Sequence, residues 1–577
     1  MKRTNTLTRL LSTLAAAALL SAPLTLSAMA KESAGAYLAA RQARYNSDYV
    51  AAATYLTRAL LRDPNNGELL ENAAAAQVSL GRVEIALPLA RRLEELNMRS
   101  QIAQMILVSD LVVQKDYDAL LTRIDSDRAI SPLADGLLAA WAYLGKGDMR
   151  SALAQFDKVM KEPGMSDFAA YHKALALASV GDFKGAAGIF SGETLGPVQT
   201  TRRGAIAWAE ALSQLERNDE AIEVLDDTFG AGLDPELADL RARLAAGGPV
   251  PFSRISDAAD GISEVLYSLG RALLRETSPE YILIYTRLAE FMNPAHIDAK
   301  IMTAELLEQL GRYELATEAY SRVPRDHPSF HVAELGRAEA LRQAGKMDTA
   351  IEVLQQLSKS HGDQPVVHAA TGDLMRQLDR FDEAAAAYDR AIAIYEERGD
   401  PQWFVYYTRA IAFERQGMWP EAEADFRRAL ELNPEQPEVL NYLGYSLVEK
   451  KIKLDEALDM IERAAAARPD SGFIIDSLGW ALYRLGRYDE AVEHMERAAS
   501  LMAVDPVVND HLGDVLWAVG RYNEARFQWK RALSFITEDT PQQDLSPERI
   551  RRKLEIGLDE VLSEEGAPPL NVAQEDG

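Results

Sequence analysis

The chain has 577 residues, 47% of them hydrophobic and 26% charged, with no cysteine and a formal net charge of −26. The absence of cysteine excludes disulfides, a thiol nucleophile and a lipid-modified cysteine anchor. The acidic balance argues against nucleic acid and anionic lipid as partners, and no stretch beyond the N-terminus holds the ~20 consecutive apolar residues of a membrane helix.

In chain order, Lys2, Arg3 and Arg9 precede an apolar run from Leu10 to Leu20, followed by Pro23 and the small-residue site Ala28-Met29-Ala30. This pattern predicts a signal peptide over 1–30, cleaved after Ala30, and export to a bacterial periplasm. An uncleaved membrane anchor is the competing reading, but the run is shorter than the ~17 residues of a span. Cleavage removes three basic residues and no acidic one, which takes the net charge from −26 to −29. The acidic residues then read as solvation of outer helical faces, with selection of a partner by charge as the alternative.

A period of about 34 residues organises the remainder. Residues 31–245 read as an N-terminal array with units starting near Ser33, Gly67, Leu133, Asp167 and Arg202, a degenerate stretch from about Ser100 to Ile130, and a loop from Gly192 to Thr200. Gly247-Gly248-Pro249-Val250-Pro251 cannot continue a helix, so 246–262 is expected as a linker. The second array, 263–539, has unit starts at Ser263, Ile297, His331, Pro365, Trp403, Pro437, Gly472 and Pro506, at intervals of 34, 34, 34, 38, 34, 35 and 34 residues. Each unit reads as two amphipathic helices about a Gly-Arg or Gly-Lys turn, such as Gly486-Arg487 and Gly520-Arg521. Small residues (Ala304 and Ala316; Gly444 and Ala457; Gly479, Ala491 and Ala498; Gly513, Ala525 and Ala532) fall where helices must cross closely. Ser546-Pro547-Glu548 opens a capping helix over 546–564 with Ile550, Leu554, Leu558, Val561 and Leu562 on its apolar face, and 566–577 reads as a disordered tail.

The small-residue pattern, with Tyr313, Tyr320 and Pro328 in one unit and Trp419, Phe426 and Pro434 in another, resembles the tetratricopeptide repeat family. The resemblance implies an all-α fold, a superhelical solenoid of helix-turn-helix units with a C-terminal capping helix, in about fourteen units. In that family the first helix of each unit lines the concave surface. The resemblance therefore implies a partner-binding groove of Phe404, Tyr407, Asn441, Tyr445, Phe473, Asp476, Trp480, Tyr483, Asp510, Asp514 and Trp517. Tyr and Trp bury large area at small entropic cost and keep one polar atom to pair; the competing reading is that these aromatics pack between helices. Arg415 and Arg484 are the basic residues mapped to this groove, too few for a clamp on a terminal carboxylate.

Leu440-Asn441-Tyr442-Leu443-Gly444-Tyr445-Ser446, Asp476-Ser477-Leu478-Gly479-Trp480 and Asp510-His511-Leu512-Gly513-Asp514 look like a family of exported bacterial tetratricopeptide proteins. That family includes a lipoprotein adaptor that presents cell-wall hydrolases to a periplasmic carboxy-terminal processing protease. The resemblance implies protein partners, among them such a protease and its envelope substrates, while the missing cysteine breaks with the lipoprotein's anchor.

No motif for a serine elbow, a phosphate loop or a zinc pair is present, and His327 and His331 straddle Pro328, so no metal or cofactor is expected. Asp476 and Asp510 share one phase and could face a common groove as paired carboxylates. The expected function is a non-catalytic scaffold or adaptor of the cell envelope, with one partner in the aromatic groove and a second on the N-terminal array. An envelope or cell-wall assembly factor without a protease is the alternative, and an enzyme acting on envelope polymers the remote one.

Overall fold

The computed structural model describes residues 35–126, 130–194, 201–230, 233–537, 545–567 and 570. The signal peptide, the Ser33 start, most of the Gly192–Thr200 loop and most of the tail lie outside these residues. Among the described residues every regular element is helical, and the chain forms two compact units that divide after Leu357.

In the first unit, helices pair as hairpins: Gly67–Ser79 with Val83–Glu95, Gln101–Val113 with Tyr117–Asp125, Pro132–Gly145 with Met149–Val159, Ser166–Ser179 with Phe183–Phe190, and Arg202–Gln214 with Asn218–Phe229. The stretch from Ser100 to Ile130, expected to be degenerate, contains an ordinary hairpin. Ser100 and Asp116 cap its two helices, each side chain accepting a backbone N–H, from Ala103 and Ala119 respectively. Its turn was hidden because Lys115, not glycine, takes the left-handed conformation at φ 56°, a position that costs a side-chain-bearing residue about 1 kcal/mol.

The Gly-Pro stretch from 246 to 257 is irregular, but it is fastened to the last of these hairpins. The Val250 N–H donates to Ser213 Oγ at 2.8 Å, Gln214 Nε2 donates to the Val250 carbonyl at 2.6 Å, and Ser253 donates twice to Glu210 at 2.7 and 2.9 Å. Helix formation resumes at Ala258, within the expected linker and ahead of the expected unit start at Ser263, because Asp257 caps the N–H groups of Ala259 and Asp260.

Helices Ala258–Ala272 and Pro279–Met292 then pack back on the first helices of the earlier hairpins. Those first helices correspond to the ones expected to line a groove, so along 67–179 that groove is filled by the chain itself. Gly261 meets the ring face of fully buried Trp141, where any added Cβ would clash. The seam is also polar: the Arg287 Nε–H donates to the Ser79 carbonyl at 3.1 Å, Tyr171 donates to Glu264 at 2.8 Å, and Arg203 pairs with Glu264 at 2.7 Å and with Asp298. His296 Nε2 lies 3.2 Å from the same Glu264. Burial alone would raise the Glu264 carboxyl, but Arg203 and the hydrogen bonds from His296 and Tyr171 hold it well below the usual carboxylate range.

In the second unit, first helices start at Pro365, Trp403, Pro437, Gly472 and Pro506, each followed by a partner helix. Close crossing is enforced by small residues: a Cβ on Gly372 would come within 2.5 Å of Tyr388, and one on Gly444 within 2.7 Å of Ile461. The segment expected as one capping helix is two, Pro547–Ile556 and Leu558–Glu564, broken at Gly557, whose φ of 90° is outside helical geometry.

One consequence concerns acid. The Trp141 indole N–H donates to His172 Nδ1 at 3.3 Å, so Nε2 carries the imidazole proton toward Ser268 Oγ at 3.1 Å. Burial pulls the His172 pKa down to about 4, whereas an unfolded histidine titrates near ~6.5. Between these values the unfolded chain binds more protons, so the stabilisation is complete above the unfolded pKa and falls as pH drops toward 4, by about 3 kcal/mol. Hydrogen exchange in helix Ser166–Ser179, corrected for intrinsic rate, is expected to accelerate across that window in the wild type and much less in His172→Gln. Equal pH slopes would contradict the assignment.

Candidate partner-binding surface

The expected groove residues lie on four successive first helices of the second unit: Trp403–Arg415, Pro437–Glu449, Gly472–Arg484 and Pro506–Ala518. Their environments differ. Phe404 and Phe473 are exposed, at 37% and 60%, and Tyr407, Tyr445 and Trp480 are half-buried. Asn441, Asp476, Tyr483, Asp510, Asp514 and Trp517 are buried. Tyr407 sits in an aromatic cluster with Trp403, Phe426 and Tyr442, at centroid distances of 6.0–6.3 Å, and serves packing between helices.

Trp480 is held rigidly. Its indole N–H donates to Glu449 Oε1 at 2.8 Å, and its ring stacks on His511 at 4.0 Å and on Tyr483 at 4.8 Å. Arg484 pairs with the same Glu449 at 2.9 Å. His511 Nδ1 lies 3.1 Å from Asp476. Burial would lower the His511 pKa, but Asp476, aided by Asp510 and Asp514, outweighs it and raises the value above that of a free imidazole.

Asp510 and Asp514 do not combine with Asp476 into a catalytic pair. Both accept from Lys553 Nζ, at 2.7 and 2.6 Å, and Lys553 is itself fully buried beneath the Trp529 ring. Trp529 Nε1 donates to Asp514 at 2.8 Å, and Trp517 Nε1 donates to Asp559 at 2.8 Å. The capping helices therefore occupy the C-terminal end of the surface and neutralise its carboxylates. Burial raises the Asp510 pKa against the opposing pull of Lys553. Asp510 and Asp514 are thus tied to Lys553, and Asp476 to His511.

Sequence reasoning missed Lys553, His511, Glu449 and Trp529. The available signal was the basic run Arg549, Arg551, Arg552 and Lys553 placed one repeat beyond Asp510 and Asp514 in an acidic chain. Phe404 and Phe473 stay exposed, and Tyr445 and Trp480 partly so.

Removing the Lys553 ammonium leaves buried Asp510 without its ion pair and Asp514 with only Arg549 at 3.5 Å, a loss of about 3–5 kcal/mol. In Lys553→Met, hydrogen exchange is expected to accelerate in Pro547–Ile556 and in Pro506–Ala518, with little change in Trp403–Arg415. Adding Asp510→Asn and Asp514→Asn should recover most of the protection; failure to recover would show that Lys553 acts through packing alone.

Models of the tetratricopeptide repeat match residues 335–399, 403–436 and 474–502. A TPR repeat-containing protein of Pseudomonas aeruginosa is 35% identical over 81 residues, a match covering 14% of this chain and 14% of that protein. Among solved structures, the APC/C hetero-tetramer Cut9-Hcn1 is similar over 91% of this chain and 96% of that one, at 15% identity and a TM-score of 0.38. YrrB, described as a TPR protein with an unusual peptide-binding site, is similar over 33% of this chain and 95% of its own, at 17% identity and a TM-score of 0.27. Tetratricopeptide-repeat proteins are protein-interaction scaffolds. Helical hairpins of one design along the described chain, with repeat models matching three stretches of it, make the fold an all-α tetratricopeptide-repeat solenoid.

Proposed function

We propose that this protein is a non-catalytic scaffold of the bacterial cell envelope that holds a protein partner on the aromatic surface of its second unit. The observation that carries the reading is the set Phe404, Tyr445, Phe473 and Trp480, large aromatics on three successive first helices, exposed or half-buried while the nearby carboxylates are paired from within. A rigid, pre-oriented tryptophan loses little freedom on contact, which favours it as an interface anchor. The envelope assignment rests on the signal-peptide pattern of residues 1–30, the absence of cysteine and the acidic mature chain.

Within that role, the motifs around Asn441, Asp476 and Asp510 support an adaptor that brings substrates to a carboxy-terminal processing protease. The second unit is the better candidate for the partner surface, because four first helices of the first, between Gly67 and Ser179, are covered by Ala258–Ala272 and Pro279–Met292.

Crosslinking in intact cells, followed by mass spectrometry of the recovered proteins, tests the proposal. The Tyr445→Ala, Trp480→Ala double variant is expected to lose one binding event by about 2 kcal/mol, about thirtyfold. Groove-dependent recovery of a protease together with faster turnover of a copurifying substrate supports the adaptor; recovery of envelope proteins without altered turnover supports an assembly factor. Recovery unchanged by the variant places binding elsewhere.

A further inference from the structure

The end of the second unit carries another surface, built from a repeating arginine. In three successive repeats an arginine near the end of the second helix donates to a carbonyl in the loop before that repeat: Arg463 to Pro434 at 3.3 Å, Arg497 to Pro469 at 2.5 Å and Arg531 to Ala503 at 2.8 Å. Around Arg463 the charge is neutralised by Glu435 at 2.7 Å and by Asp459, four residues earlier, at 3.3 Å. The same register positions are Asp470 and Glu493 in the next repeat, both acidic though neither is ion-paired with Arg497 among the described residues, but Val504 and Phe527 in the last. Both carboxylates have been replaced by apolar side chains, and these are not buried: Val504 is 70% exposed and Phe527 58%. Arg531 lies over the Phe527 ring at 5.9 Å and has no carboxylate partner among the described residues. Leu501, also exposed, extends the apolar edge.

Arg497 also lacks an ion pair among the described residues, but two acids stand in register beside it; Arg531 has apolar side chains at both positions. Here the repeat's own design supplied two acids, and the last repeat lacks both while showing apolar area in their place. An exposed apolar patch marks a contact site, and an arginine stripped of its counter-charge adds a specific demand for a carboxylate. We infer that Arg531, Phe527, Val504 and Leu501 form a second docking site, distinct from the aromatic groove, for a protein segment that carries an Asp or Glu side chain beside large apolar residues. The partner carboxylate takes the place that Glu435 and Asp459 hold against Arg463, and its apolar neighbours cover Phe527 and Val504. An anionic lipid surface would meet the same arginine, but the strong negative charge of the whole chain opposes it.

The test uses the full chain and two synthetic amphipathic peptides of Leu with Glu or Leu with Gln, measured by fluorescence anisotropy. The Leu/Glu peptide should bind more tightly than the Leu/Gln peptide, and added salt should weaken it. Restoring the repeat's acids with Val504→Glu and Phe527→Asp recreates the neutralised arrangement of Arg463, so this variant is expected to fold and to lose at least about tenfold in affinity. Arg531→Lys should retain more binding than Arg531→Gln, since both disturb the loop contact but only one removes the charge. The groove variant Tyr445→Ala, Trp480→Ala should bind the peptide as the wild type does, which separates this site from the proposed one. Equal binding of both peptides, or unchanged binding in the Val504→Glu, Phe527→Asp variant, would overturn the inference. So would Phe527-dependent sedimentation with phosphatidylglycerol-phosphatidylcholine vesicles in place of peptide binding.

Discussion

The buried pairing of Arg203 with Glu264 is the constraint on which the first unit depends. Taking two charges out of water costs several kcal/mol per ion, and that cost is recovered only if every remaining hydrogen-bonding position is filled. Tyr171, His296 and Asp298 fill them, so helices from four separate hairpins must arrive together for the pair to be tolerated. A geometry with one partner missing leaves an uncompensated buried charge, which makes the fold-back of Ala258–Ala272 close to all-or-none. The apolar contact of Gly261 with Trp141 supplies driving force, while the ionic hub selects one register for it.

Function follows from where the chain satisfies itself and where it does not. Four first helices of the first unit, from Gly67–Ser79 to Ser166–Ser179, are covered by two helices of the same chain, and the last first-helix of the second unit is covered by the cap through Lys553. Between these ends the second unit leaves aromatic side chains partly in solvent, with Trp480 fixed by Glu449, His511 and Tyr483. A solenoid has one surface of this kind per repeat, so under the proposed function partner binding falls to the repeats left uncovered.

Much of this was legible in sequence where the signal is local. The starts at Ile297, Pro365, Trp403, Pro437, Gly472 and Pro506 are helix starts, because proline at a first turn, small residues at crossings and glycine after a helix each act through nearby backbone sterics. The hairpin at Gln101–Asp125 escaped notice because Lys115 accepts the left-handed conformation for which glycine is the usual marker. The helix that contains Ser263 begins earlier, at Ala258, because the Asp257 side chain caps it, as Asp505 caps Pro506–Ala518.

The groove list shows the same division. Spacing placed Asp510, Asp514 and Trp517 on one helical face and Asn441, Asp476 and Trp480 on its neighbours, which is a property of helical periodicity alone. Whether such a face meets solvent, a capping helix or a lysine from forty residues further on is a matter of long-range packing. The sequence by itself determined the all-helical class, the repeat length and most first-helix starts of the second array, since these rest on interactions within one turn or one hairpin. Tertiary structure decided which faces are covered and which carboxylates are neutralised, because burial and charge pairing depend on side chains that periodicity cannot bring together.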